Sequence, residues 1–577
     1  MHDHPLRLSI ITIPLLFVSF FAPSIAHAGT PSPQSWRDIT VYQIVTDRFF
    51  DNASSNDNLG GSYDPSDGSR AHGGDFQGLQ AKLDYIAGLG VDAVWISPVV
   101  LNANGEYHGY AARDFFTIAP QMGGLSGLQS FVSAAHARGI YVILDVVTNH
   151  MGNLIGSFDP GYPDYDPSGG YQLNWWNAAN HYDPPFDDLS WFHSNGEIQD
   201  YSDPEQIVGE LFGLDDLKTE LPAVRDVLAD AYSQLIQETD CDGFRIDTVK
   251  HVEIAFWQDF APRIRAAALA EGKDNFLLMG EVYDGDPAKV GYYTGTQAGG
   301  AYALNSATWF PMCFAARWVF SGNGFPAVLD WVMADSTAYD PSTRWQLGNF
   351  YDNHDMGRLA AQGLAWQDDT LLRQALTWLL TWPGMPILYY GTEQEYDGGG
   401  DPWNREDLWD GQWDFGPSQG DGYNMATPLY ALTRRLQDLR HQLPAIRRGK
   451  ISVLAADDAD PGALVYLRPD PQSPQHDVLV AMNTSWLDTT VTVPTRWNTG
   501  VIVEDRLGSG RTLTVGGGGY LEIHLASRAN FLFTQTNPAT RPRILSLSPH
   551  HDGWFQDQYQ KIEIGFDRPM QPASSSY

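Results

Sequence analysis

Four segments of this chain carry carboxylates and imidazoles in groups that could do chemistry. They are Asp145-Val146-Val147-Thr148-Asn149-His150, Gly243-Phe244-Arg245-Ile246-Asp247 with Thr248-Val249-Lys250-His251 after it, Gly280-Glu281-Val282-Tyr283, and Phe350-Tyr351-Asp352-Asn353-His354-Asp355. Taken singly, each acid reads as a surface carboxylate or helix cap, and each His as a packed imidazole. Their recurrence at the ends of successive β-branched runs overturns that reading. Asp247, Glu281 and Asp355 then come from three different strands and can converge, an arrangement suited to acid–base and nucleophilic work. No serine elbow, His-Glu-x-x-His zinc pair, phosphate-binding glycine loop or dinucleotide fingerprint stands at a suitable place. Two carboxylates with a third helper and no organic cofactor point to glycoside chemistry.

The elements that must position these groups are legible as repeated βα units. Strands are expected at residues 40–46, 91–97, 140–147, 243–248, 276–282, 345–351 and 386–390, with an eighth, weak one near Asn305-Ser306-Ala307-Thr308-Trp309-Phe310. Amphipathic helices are expected at 125–138, 221–238, 254–271 and 370–382. Eight parallel strands over about 400 residues give an α/β fold, a (β/α)8 TIM barrel, in which catalytic groups sit at the C-terminal strand ends. Residues 50–75 and 151–211, rich in Gly, Asp, Asn, Pro and Tyr, read as long ordered loops or a small subdomain on that face. From 448 to 535, short alternating strands (464–468, 477–482, 489–493, 519–526) predict an all-β sandwich. A Pro-containing linker then leads to two strand candidates at 544–549 and 560–566, read as the start of an incomplete immunoglobulin-like domain over 536–577. The barrel with its insertion would occupy 29–447.

Composition narrows the partners. The 577 residues hold 35 Lys plus Arg against 70 Asp plus Glu, a formal charge of −35. A surface this negative repels phosphate backbones and anionic lipid, which argues against nucleic acid and membrane partners. With 43% apolar and 13% aromatic residues and scattered acids, the chain is expected to be globular. Residues 1–28 combine Arg7, an apolar run and Ala26-His27-Ala28, which predicts a secretory signal peptide cleaved after Ala28 and a secreted protein, extracellular or periplasmic. Cys241 and Cys313 sit in apolar contexts and are expected to be two buried thiols rather than a bridge. A monomer is expected.

At the four motif segments the sequence resembles the α-amylase family, glycoside hydrolase family 13, over roughly residues 38–530. Tyr42-Gln43-Ile44 with Asp47-Arg48-Phe49, Gly73-Gly74-Asp75-Phe76-Gln77-Gly78, Tyr107-His108-Gly109-Tyr110 and Gly400-Asp401-Pro402-Trp403-Asn404-Arg405 extend the match. The resemblance implies the barrel, a domain B at about 151–211 and the C-terminal sandwich. It implies Asp247 as nucleophile, Glu281 as general acid and then base, and Asp355 as the residue that holds the hydroxyls of the reacting sugar. Arg245 would keep the nucleophile ionised. His108, His150 and His354 would donate to sugar hydroxyls, Tyr110 would stack on the sugar at the cleavage point, and Asp401 with Arg405 would hold the next one. A calcium ion is the implied cofactor, held by Asn149, Asp216 and the carbonyl of His251, with a fourth ligand from the insertion. A second calcium site would use Asp51, Asn56, Asp57, Gly73 and Asp75, although Ala53 replaces a usual ligand there.

The resemblance implies an α-glucan substrate such as starch or maltooligosaccharides. Lys250-His251 resembles enzymes acting on α-1,4 linkages, so hydrolysis of these is the leading expectation. Phe212 and Tyr283 align with aromatics that cyclodextrin glucanotransferases carry, which leaves transglycosylation as the alternative. The third reading is a non-catalytic carbohydrate-binding protein, and retention of all three carboxylates argues against it.

Overall fold

The computed structural model describes residues 29–296, 302–365, 368–409 and 422–536, together with the strand residues 544–548 and 563–566. Eight parallel strands form one sheet: β1 (Val41–Ile44), β2 (Ala93–Ile96), β3 (Tyr141–Val146), β4 (Gly243–Ile246), β5 (Leu277–Gly280), β6 (Ser306–Ala307), β7 (Gly348–Asn349) and β8 (Met385–Tyr389). Their order is β6-β5-β4-β3-β2-β1-β8-β7, and a parallel bridge from Thr308 to Gly348 joins the two outer strands into a barrel. Its interior is packed with Val41, Trp95, Ile143, Leu277, Met279 and Ile387, so it is a core and not a pore.

Each expected strand is present, and all but β8, which keeps its length and shifts by one residue, are shorter than the sequence run. The largest difference lies at 345–351, where Arg344–Gln346 is a 3-10 turn and only Gly348–Asn349 pairs as a strand. Two residues suffice there because the neighbouring β6 is equally short. The helices Gly124–His136, Pro222–Thr239, Ile254–Ala270 and Asp369–Thr381 lie within a residue or two of the expected ranges. Pro222 sits at the first helical turn, where its missing N–H costs nothing.

Two excursions rise from the C-terminal face. Val100–Asn102 pairs with Ala112–Ile118 after β2, and Ile155–Ser157 pairs with Leu173–Trp175 after β3. The second ribbon lies in the stretch where periodicity gave no strand, because three-residue strands are too short to show alternation. Beyond the barrel, a six-stranded antiparallel sheet (Ser452–Ala456, Ala463–Arg468, Val478–Asn483, Asn530–Gln535, Ile502–Asp505, Thr512–Thr514) faces the pair Thr489–Pro494 and Tyr520–Leu525 over a core that includes Val465, Leu479, Val503, Ile523 and Phe533. Ile544–Ser548 and Glu563–Phe566 pair antiparallel. Both cysteines are free and buried. Among the described residues no helix is long and apolar enough to cross a membrane, and the proposed leader 1–28 lies outside them.

Candidate active site

Side chains alternate across a strand, so residues two apart share a face. In β3 this puts Asp145 on the barrel-lining face with Ile143, and in β4 it puts Arg245 on that face with Asp247 just beyond the strand end. The parallel register sets Asp145 directly opposite Arg245, and Arg245 opposite Met279, with Glu281 two residues further. The result is a guanidinium ringed by acids. Arg245 Nη1 donates to both oxygens of Asp145 (2.9 and 3.0 Å) and to Asp247 Oδ1 (2.8 Å), while Nη2 contacts Glu281 Oε2. Asp145, Arg245, Asp247 and Glu281 are all buried.

A second chain of contacts enters from the neighbouring strands. Gln43 Nε2 donates to His354 Nδ1 (2.7 Å), which leaves the proton on Nε2, facing Tyr110 Oη at 2.7 Å and Asp355 Oδ2 at 3.2 Å. Tyr110 passes its own proton to Asp145 Oδ2 (2.8 Å), and Trp95 Nε1 donates to the same oxygen (3.0 Å). The Tyr110 ring stacks on His354 at 5.3 Å with an interplanar angle of 3°, and on His108 at 5.8 Å and 19°. His108 Nδ1 accepts the Tyr110 backbone N–H. Arg405 reaches Asp355 Oδ1 (3.5 Å), Asp401 (3.2 Å) and Tyr107 Oη (3.0 Å), and its Nε donates to the carbonyl of His354. Asp355 is 37% exposed and borders the cleft.

These contacts set the charge of the site. Burial raises the Asp247 carboxyl, and neighbouring Asp355 adds to this against the pull of Arg245. Burial pushes Asp145 up to about 7 despite its bonds to Arg245. Burial acts the same way on Asp355, but His354, Arg405 and Arg245 hold it below the usual carboxylate value. Burial lowers His150 to about 4 and His354 to about 3, so both are neutral imidazoles near pH 7. Five carboxyl groups thus face two guanidiniums, and a site with excess negative charge stabilises a cation that develops within it.

Residues 43–413 match the family of alpha-amylase catalytic domains. The chain belongs to the α-amylase family. It is 34% identical over 79% of its length to a beta/alpha-amylase from Paenibacillus polymyxa, and it spans about a third of that relative, 34%. The solved α-amylase from Anoxybacillus shares 31% identity and a TM-score of 0.72, covering 88% of this chain and 100% of its own. A cyclomaltodextrin glucanotransferase with a three-domain ABC distribution is equally similar, at 31% identity and TM-score 0.71, covering 86% and 99%.

Of the residues that the α-amylase resemblance assigns to calcium, Asn149 and Asp216 are brought together. Asp216 is buried beside Asn149, its Oδ1 has no hydrogen-bond partner, and its Oδ2 accepts from His193 Nδ1 at 2.7 Å. His251 follows β4 in sequence, and its Nδ1 donates to the carbonyl of Gln206 in the insertion (2.9 Å). An orphaned buried carboxylate oxygen beside an amide fits a hard cation. The second set fits less well. Asn56 Nδ2 bonds Asp75 Oδ2 (3.3 Å), and Asp57 Oδ1 and Asn56 Oδ1 are buried without partners, but Asp75 Oδ1 is committed to capping a helix through Gly78 N–H. Asp51 accepts the backbone N–H of Ala53, and Gly73 lies against Asp57, where a Cβ would come within 3.2 Å of the carboxylate. Among the described residues no group of three or more His, Cys, Asp or Glu side chains converges to hold a metal ion, at either set.

Lys250 Nζ donates to the carbonyl of Tyr283 (2.9 Å), which places both beside Glu281. Tyr283 is 44% exposed and packs on Phe310 at 4.4 Å. Phe212 is 83% exposed and, with Gly213, forms a turn in which both residues have positive φ, a conformation that costs a residue with a Cβ about 1–2 kcal/mol. Asp145, Gln43, Trp95 and Tyr107 had no assigned role in the sequence reading. For Asp145 a signal existed: it stands two residues after Ile143 on the lining face, and a buried Arg245 needs more than one acid.

Proposed function

We propose that this chain is a secreted, retaining α-glucan hydrolase that cleaves α-1,4 linkages of starch or maltooligosaccharides. The observation that carries the reading is Arg245 holding Asp247 and Glu281 on the two ends of one guanidinium. Two carboxyls gathered by one guanidinium support a retaining reaction, which requires them about 5–5.5 Å apart, whereas an inverting water requires about 6.5–9.5 Å. Asp247 attacks the anomeric carbon while Glu281 gives its proton to the leaving oxygen. The glycosyl-enzyme is then opened by a water that Glu281 deprotonates. Asp355, kept ionised beside Arg405, binds hydroxyls of the distorted sugar, and neutral His354 donates from Nε2. Tyr110 and Trp95 hold Asp145, which in turn fixes Arg245. Asn149, Asp216 and the His251 carbonyl would hold a calcium ion, whose charge would compensate the orphaned Asp216 oxygen and fasten the insertion to the barrel.

A starch time course followed by NMR tests this. The expected first products are linear short oligosaccharides whose new reducing ends are α. A β-anomer at early times would falsify the retaining assignment. The exposed Phe212 ring favours a second reading, transglycosylation, because stacking an acceptor sugar there competes with water. Cyclic or lengthened products in the same time course would establish it.

A further inference from the structure

The small ribbon of the insertion carries exposed aromatic rings outside the catalytic cluster. In the pairing Ile155↔Trp175 and Gly156↔Asn174, alternate residues share a face, so Gly156 and Phe158 lie on the face that also carries Asn174 and Trp176. Trp176 reaches diagonally across Gly156. A Cβ at residue 156 would come within 1.9 Å of the indole, so only glycine lets the ring lie against the strand backbone. The indole is fixed further by Nε1, which donates to Asn153 Oδ1 at 2.9 Å, and by Phe158, edge-on at 5.6 Å and 81°. Despite these constraints Trp176 is 45% exposed and Phe158 is 73% exposed.

The platform adjoins the Phe212 turn. Asn153, which orients Trp176, borders the Phe212 turn, where a Cβ on Gly213 would come within 3.1 Å of its amide nitrogen. Asp215, three residues after Phe212, accepts the backbone N–H groups of Leu154 and Ile155 (2.9 Å each) and so pins the ribbon beside that turn. Exposed rings therefore run from Phe212 to Trp176 and Phe158, on a ribbon held rigid beneath them. Flat aromatic faces with polar neighbours suit a pyranose, whose C–H face is apolar and whose hydroxyls point outward.

We propose that Trp176 and Phe158 form a distal binding track for a long glucan chain threading the cleft past Phe212. The idea rests on the glucan reading above and adds to it a preference for polymeric over short substrates. The test is equilibrium binding to the full chain carrying Asp247→Asn, with an amylose fragment of about twenty glucose units and with maltotriose as probes. Adding Trp176→Ala or Phe158→Ala is expected to weaken the long probe roughly three- to tenfold and to leave maltotriose within twofold. Trp176→Phe, which keeps a ring, should recover part of the loss, and thermal melts verify that each variant is folded. Unchanged affinity for the long probe in folded Trp176→Ala and Phe158→Ala, with both probes bound by Asp247→Asn, overturns the track alone. Failure of Asp247→Asn to bind either probe overturns the glucan reading, and the track with it.

Discussion

The two ends of the barrel handle buried charge in opposite ways. At the N-terminal end, before β4 and β5, Lys273 lies between Asp240 and Asp242 at 2.8 Å from each, and His136 meets the same two acids at 3.2 and 2.8 Å. Two acids face two cations, because these acids raise His136 to about 9 in spite of its burial. At the C-terminal end five acids share Arg245 and Arg405, and His150 Nε2, Thr148 Oγ1 and Thr248 Oγ1 are buried without partners, whereas no side-chain polar atom of the basal cluster is. Both ends bend the backbone into the left-handed region, at Asp240 (φ 58°) and at Thr248 (φ 47°). Asp tolerates this readily, while a β-branched Thr directly after Asp247 is strained. Balanced, satisfied charge serves stability. Unbalanced charge with orphaned donors leaves work for a ligand to do.

The sharpest way to break this contrast is to exchange the consequences. Asp247→Asn should lower initial starch hydrolysis by about 10⁴-fold while the melting temperature stays nearly unchanged, and a large loss of stability would show that the upper cluster is structural after all. Lys273→Met should do the reverse. It leaves Asp240 and Asp242 to share His136 as their one remaining cation, so the unfolding free energy in a denaturant titration should fall by about 3–5 kcal/mol with kcat of the folded enzyme intact. Chelation is next in size. EDTA should lower the melting temperature by several degrees, on the order of 1–2 kcal/mol, and Asp216→Asn should abolish the response.

pH gives the smallest and most selective readout. His136 has a folded pKa of about 9, above its unfolded value of about 6.5. Its contribution to stability is therefore complete below pH about 6.5 and is lost as pH rises through about 9. Melting temperatures measured between those values should decline, and His136→Gln should flatten the slope. Activity should respond at the opposite, acidic side, because Asp247 must be ionised to attack and its raised pKa makes the acid limb of kcat/KM begin above the usual carboxylate range. A limb at or below that range would mean that Arg245 outweighs burial.

Particular residues show how far the sequence reached. The motif around Gly243 to Asp247 disclosed Arg245 and Asp247 because two-residue spacing on a strand is a statement about one face. Asp145 was quoted in its motif but given no role, since what makes it functional is a cross-strand register with Arg245 that no local pattern contains. The same holds for Gln43, whose bond to His354 joins positions 311 residues apart. The ribbon at 155–157 and 173–175 was hidden for another reason. Its strands are too short for periodicity, and its register places Trp176 over Gly156 only after folding.

By itself the sequence determined the βα rhythm, the strand ends that carry Asp247, Glu281 and Asp355, and the large acidic excess, because periodicity, spacing and charge are properties of the chain. Only the tertiary structure decided that one guanidinium gathers three acids, that Asp75 is committed as a helix cap while Asp216 keeps a free oxygen, and that exposed rings continue outward from Phe212. Those outcomes depend on burial and on register between distant strands, which raise or lower the free energy of a charge according to what lies within a few ångströms of it in space.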